Sequence, residues 1–188
     1  MLTIPQPLVP DDDGGADAAV ASALSAFQAG TASAADVLPA ISQARLLVPV
    51  VALLTESEIG GHGLKQEKES EMALPKLVGK DGREAVLAFT GTEALKTWRP
   101  DARPIQASGP QVCHAARQEG AAAVVIDVAG PIPFVIEGGM LQALAAIEDV
   151  KRDPSALDGL AGAVPGITVT KIGEAAPRRR WFRRRRAS

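Results

Sequence analysis

Three aliphatic runs constrain this chain more than any other feature: residues 45–54 (Arg-Leu-Leu-Val-Pro-Val-Val-Ala-Leu-Leu), 84–89 (Glu-Ala-Val-Leu-Ala-Phe) and 123–128 (Ala-Val-Val-Ile-Asp-Val). Each has the length and side-chain character of a buried strand and is bounded by turn residues. None approaches the ~20 apolar residues that a membrane-spanning helix needs. The core they predict is aliphatic. Phe27, Phe89, Trp98 and Phe134 are the only aromatic residues before position 181, and Tyr is absent. A domain of about 130 residues buries roughly two-thirds of its unfolded surface, so such a core suffices.

Between these runs the spacing changes from strand to helix. Asp17 predicts the cap of a helix starting at residue 18, with Val20, Leu24 and Phe27 on one face and Gly30 as its stop. Thr31 or Ser33 caps a second helix carrying Val37, Leu38 and Ile41, with Pro39 inside it. Pro49 has no amide hydrogen for a ladder, which predicts that strand 45–54 lies at an edge or carries a bulge. A polar loop over 55–70 leads to a second strand over 71–78, interrupted by Pro75. The Asp81-Gly82 pair then makes a tight turn into 84–89. These three strands predict an antiparallel meander. Thr92 caps a short helix with Leu95 and Trp98, stopped by Pro100. Ile105 marks a short strand, Pro110 starts a helix reaching Gly120, and residues 133–136 form a further strand. Gly138 and Gly139 open a helix with Leu141, Leu144, Ala145 and Ile147 on one side. After Glu148 the pattern weakens, and 166–173 alternates like a strand. The fold class expected is α+β: a single domain with a mixed, largely antiparallel sheet flanked by helices. Residues 1–17 are expected as a disordered Pro/Asp-rich arm, 18–147 as the domain, 148–173 as an extension and 174–188 as a basic tail.

Charge divides the chain. Seven of its 20 basic residues stand in the last eleven positions with no acid among them, which leaves 13 basic against 22 acidic residues before them, a net of −9. The overall charge of −2 conceals this division. Such a tail seeks polyanions. One cysteine, Cys113, excludes an internal disulfide and a cysteine-clustered zinc site. The first ten residues hold three prolines and no cationic side chain, unlike a secretory signal. A cytoplasmic protein is expected, and the Ala, Gly and Arg bias suits a bacterial source.

The segments Leu-Val-Pro-Val (47–50), Ala-Val-Leu-Ala-Phe-Thr-Gly-Thr-Glu-Ala-Leu-Lys-Thr-Trp (85–98) and Ala-Val-Val-Ile-Asp-Val-Ala-Gly-Pro (123–131), in this order, resemble the SseB family N-terminal domain. The resemblance covers residues 18–147, and the Phe-Thr plus Trp segment is its most specific part. It implies a compact α+β domain, no established enzyme activity and no defined ligand site. The Arg-rich tail stands where some relatives carry a second domain.

Several residues invite a chemical reading. The Gly60-Gly61-His62-Gly63-Leu64-Lys65 segment lacks the hydroxyl and the following helix of a phosphate-binding loop, so a loop between strands is expected. Cys113 and His114 are adjacent on a helix, where neighbouring side chains diverge. Cys113 is expected as a buried core residue, since a dyad needs His62 to approach it instead. Asp11, Asp12 and Asp13 lack the alternation and the twelfth-position Glu of a calcium loop, and read as a solvated acidic arm. Asp127, a lone carboxylate in an aliphatic strand, is expected to bond nearby loop amides, with a ligand-facing acid as the alternative. Trp98 shares a helical face with Leu95 and is expected as a half-buried anchor, with a partner contact as the alternative. Trp98 and Asp127 are thus the candidate partner-binding residues of the domain.

The polyanion-binding candidates are Arg178, Arg179, Arg180, Trp181, Phe182, Arg183, Arg184, Arg185 and Arg186. Guanidinium groups pair bidentately with phosphate, and the two aromatic rings stack on bases. The same pair can instead wedge into an anionic membrane surface, although Trp181 and Phe182 lack helical spacing. The function expected is a non-enzymatic binding or adaptor protein whose tail contacts RNA or the ribosome, with an unknown protein partner for its body. A membrane-surface regulator is the alternative. A small-molecule enzyme using Asp127 and the loop near His62 is the third reading. No cofactor and no metal are expected.

Overall fold

The computed structural model describes residues 8–54, 70–73 and 75–155. The loop around His62, the alternating stretch 166–173 and the tail residues Arg178 to Arg186 lie outside them.

Two helices open the domain. Helix α1 (Ala18–Gln28) is capped by Asp17, whose carboxylate accepts from the Ala19 and Val20 amides. Helix α2 (Ala34–Gln43) starts at Ser33, where Asp36 reaches back to the Ser33 amide, and it continues past Pro39. Among the described residues seven strands follow: β1 (Arg45–Leu54), β2 (Ser70–Ala73), β3 (Lys76–Val78), β4 (Glu84–Ala88), β5 (Arg103–Ser108), β6 (Ala123–Ile126) and β7 (Phe134–Glu137). Three helices are interleaved with them: α3 (Thr92–Trp98), α4 (Gly109–Gln118) and α5 (Gly138–Arg152).

The strands make two sheets, ordered β2-β1-β5 and β3-β4-β6-β7. Every pairing is antiparallel except β4 with β6. The mixed, largely antiparallel α+β expectation therefore holds. The sheets join at Leu47 and Phe89, which exchange both backbone hydrogen bonds at 2.8 Å.

Two strand expectations need correction. The meander is split, because Pro75 divides stretch 71–78 into β2 and β3, which belong to different sheets. Strand β1 is not an edge, since it lies between β2 and β5. Pro49 is tolerated for another reason. The Leu47 amide points toward Phe89, so Pro49, two residues on, presents its nitrogen to that same side. There it falls between the Phe89 bridge and the start of the β2 ladder at Val51. Its partner across β5 is Pro104, and neither proline removes a donor from the β1–β5 ladder.

Strand alternation divides the core. Val86, Ala88, Val124, Ile126, Phe134 and Ile136 pack under the helices with Val20, Val37, Leu141 and Leu144. On the opposite side Leu87 and Phe89 pack with Leu47, Leu95 and Ala102. Helices α4 and α5 are further tied by Asp149, which bonds His114 Nδ1 at 2.8 Å and accepts from Arg117 Nη2 at 2.6 Å.

The boundaries also move. Helix α5 runs to Arg152, beyond the expected domain limit at 147, because Glu148 is buried and bonded to Arg152. The expectation of a disordered arm over 1–17 is corrected for residues 8–17, which are bonded to the domain. The Val9 backbone amide and carbonyl both bond the Gln106 side chain of edge strand β5. Asp12 pairs with Arg45 and accepts from Gln106, and the Gly14 carbonyl accepts from Thr92.

Candidate functional site

The parallel strands β4 and β6 end side by side, with Ala88 opposite Ile126. Crevices beyond the carboxyl ends of parallel strands are common ligand sites, because diverging loops leave space there. Here both chains turn sharply. The Asp127 amide still donates to Ala88, but Asp127 itself adopts a left-handed φ of 51° and leaves the strand. Its carbonyl accepts from Gly130, closing a turn in which a side chain at 130 would collide with the Asp127 Cβ at 2.8 Å. The turn aims the Asp127 carboxylate at Thr90. One oxygen accepts from the Thr90 amide at 2.8 Å and the other from the Thr90 hydroxyl at 2.6 Å. Asp127 is 4% exposed and Thr90 7%.

Around this pair lies a cleft of about 310 Å³. One wall comes from α1 through Ala21, Leu24 and Ser25, and another from Pro131 and Ile132 in the turn before β7. Gly91, Glu93 and Ala94 at the start of α3 form the third. The N-terminal segment closes the remainder with Gly14, Gly15 and Ala16. Gly91 permits this closure, because a side chain there would stand 3.0 Å from the Ala16 nitrogen and the Gly14 carbonyl.

Arg45 holds the segment in place. Its guanidinium donates to the Thr90 carbonyl, to Asp12 and to the Gly15 carbonyl. Burial opposes ionisation of Asp12, but the Gly14 amide, Arg45 and Gln106 outweigh it and hold this carboxyl below the usual range. Asp127 behaves in the opposite way. Burial raises its pKa, and the two Thr90 donors only partly offset that. Among the described residues Asp127 forms no ion pair.

The expected carboxylate bonded to loop groups is therefore found, though at the end of the strand rather than within it. Trp98 is half-buried against Phe89 at 5.5 Å, with Arg99 5.6 Å from its ring. Trp98 packs with the Leu87 side of the core, and Asp127 lines the cleft. Cys113 is buried, and burial pushes its thiol up to about 12. Of the acidic stretch 11–13, expected as a solvated arm, Asp12 is instead bound to Arg45, while Asp11 and Asp13 are exposed. Among the described residues no cluster of His, Cys, Asp and Glu has the makings of a metal site, and no helix is long and apolar enough to cross a membrane. Sequence reasoning missed Thr90, Arg45 and the Gly14–Gly15 wall. The one signal was the adjacency of Thr90 to Gly91 after an aliphatic run.

Two of the segments that carry the family resemblance, 85–98 and 123–131, meet at this cleft. A family model described as SseB protein N-terminal domain matches residues 20–143, about two-thirds of the chain. No curated protein and no solved structure matches it.

Proposed function

This chain belongs to the SseB family, and from that premise we propose that it is a non-catalytic binding or adaptor protein of the cytoplasm whose acidic body contacts a protein partner while the Arg-rich tail contacts RNA or the ribosome. The observation that carries this reading is the charge division, with −9 before residue 178 and seven arginines after it. Seven guanidiniums and a Trp-Phe pair suit a phosphate backbone bearing stackable bases. Two features of the domain support a role without covalent chemistry. The Cys113 thiol is buried and held protonated at neutral pH. Both oxygens of the Asp127 carboxylate accept bonds from Thr90.

Affinity purification of the full chain, beside one with all seven tail arginines replaced by Gln, tests the reading. RNA should accompany the first chain only, and nuclease should release the associated ribosomal material. Cellular associations that survive nuclease and follow anionic vesicles in co-sedimentation would move the tail's contact to a membrane surface.

A further inference from the structure

Buried carboxylates are ordinarily paired with a cation, because desolvating an unpaired charge is expensive. The other shielded acids of this domain obey that rule. Asp12 pairs with Arg45, Glu148 with Arg152, and Asp149 with Arg117 and His114. Asp127 is 4% exposed, and both of its described partners are neutral donors on Thr90. It also lines the cleft, whereas the paired acids do not.

The cleft has the chemistry of a cation site. Its described lining holds two carboxylates, Asp127 and Glu93, and no Lys, Arg or His. Ala21, Leu24 and Ile132 supply apolar wall. Its volume of about 310 Å³ sits at the lower end of the range for small-ligand pockets. Each Asp127 oxygen already accepts one bond from Thr90, which leaves one acceptor direction on each. A guanidinium is more weakly hydrated than the compact ammonium of a lysine, so it loses less on entering an apolar-walled cleft, where it can donate to one of these acceptor directions. We propose that this cleft binds a guanidinium carried on a short apolar stem, with Asp127 as its buried counter-charge and Glu93 as a second, exposed one. Burial already raises the Asp127 pKa, so binding near that pKa should release a proton. The guanidinium has two sources of identical chemistry: an arginine side chain, of which the tail of this chain carries seven, or a free alkylguanidine.

Titration of the full chain with n-butylguanidinium, against butylurea as a neutral probe of similar shape, tests the site. The Thr90 and Gly91 amide resonances and the thermal midpoint are the readouts. The cation should shift the resonances saturably and raise the midpoint, while butylurea does neither. Asp127→Asn should weaken binding about tenfold or more. Glu93→Gln changes only an exposed side chain, keeps the fold, and should weaken binding by a smaller factor, so it reports on the site if Asp127→Asn fails to fold. Equal responses to both probes, or undiminished affinity in the folded variants, would overturn the proposal. A second arm uses the chain with all seven tail arginines replaced by Gln. If the tail's own arginines occupy the cleft, that chain binds the probe more tightly, and its Thr90 resonance differs before any probe is added. If the source is a free alkylguanidine, the two chains bind the probe alike. RNA capture reads the tail and this titration reads the cleft, so failure of either leaves the other standing.

Discussion

Asp127 combines three costs in one residue: a left-handed backbone, a buried carboxylate and a raised pKa. A non-glycine residue held in that conformation costs about 1–3 kcal/mol, less for Asp or Asn, whose short polar side chains tolerate it. Asp127→Ala keeps the strain, withdraws that tolerance and orphans both Thr90 donors, so it should destabilise the domain by about 2–4 kcal/mol in urea unfolding. Asp127→Asn retains an acceptor for one donor and should cost less than Asp127→Ala. The pH dependence has a definite sign. The native carboxyl holds its proton more tightly than the unfolded one, so over the window between the two pKa values the native state binds more protons. This residue's contribution to stability is therefore present below the ordinary aspartate pKa and is lost as pH rises through the raised value. Asp127→Asn should remove that part of the pH profile, as urea midpoints measured across the window would show. Asp127 itself was legible as the lone polar residue in an aliphatic run. Its partner Thr90 was not, because 37 residues separate them and only the parallel register of β4 and β6 brings them together.

At the level of elements, apolar spacing located the helices and most strands, because burial of one face drives both their formation and their packing. It failed where polar contacts decide. The segment before α1 carries too little apolar surface to read as ordered, yet Gln106, Arg45 and Thr92 bind its backbone and its Asp12. Those partners lie 33 to 97 residues away along the chain for Asp12 and Val9, beyond the reach of any local pattern. Asp12→Ala should release the segment, costing about 1.5–3 kcal/mol for the lost charge-assisted bonds. Faster amide exchange at Gly14 and Gly15 would check it, with the α4–α5 pair unaffected. Asp149 tests the same logic across that helix pair. Burial works against its ionisation, but Arg117 and His114 prevail and hold its pKa below the ordinary value. The stabilisation is present above the ordinary aspartate pKa and is lost as pH falls through the lowered one. Asp149→Asn should flatten that acid limb of the unfolding profile, the reverse of the Asp127 effect.

Over the whole molecule, the described residues gather their apolar side chains into two clusters on opposite sides of the strands. Arginine is a residue that aliphatic cores of this kind exclude, so replacing the seven tail arginines by Gln should leave the unfolding free energy within about 0.5 kcal/mol. Affinity for RNA should respond very differently. A body with a net charge of −9 repels a phosphate backbone, and the tail must overcome that repulsion as well as supply the attraction. For single-stranded RNA each arginine–phosphate contact contributes about −0.7 to the slope of log K against log salt, so seven contacts give a slope of about −5. The Gln-substituted chain loses every one of these contacts while the acidic body remains. Any residual association should then strengthen as salt screens the repulsion, because the surviving electrostatic interaction has the opposite sign. Fluorescence anisotropy of a labelled oligoribonucleotide across a salt series distinguishes the cases. A steep negative slope in the full chain that turns flat or positive after substitution assigns RNA binding to the tail. A steep negative slope surviving the substitution would place the contact on the domain instead.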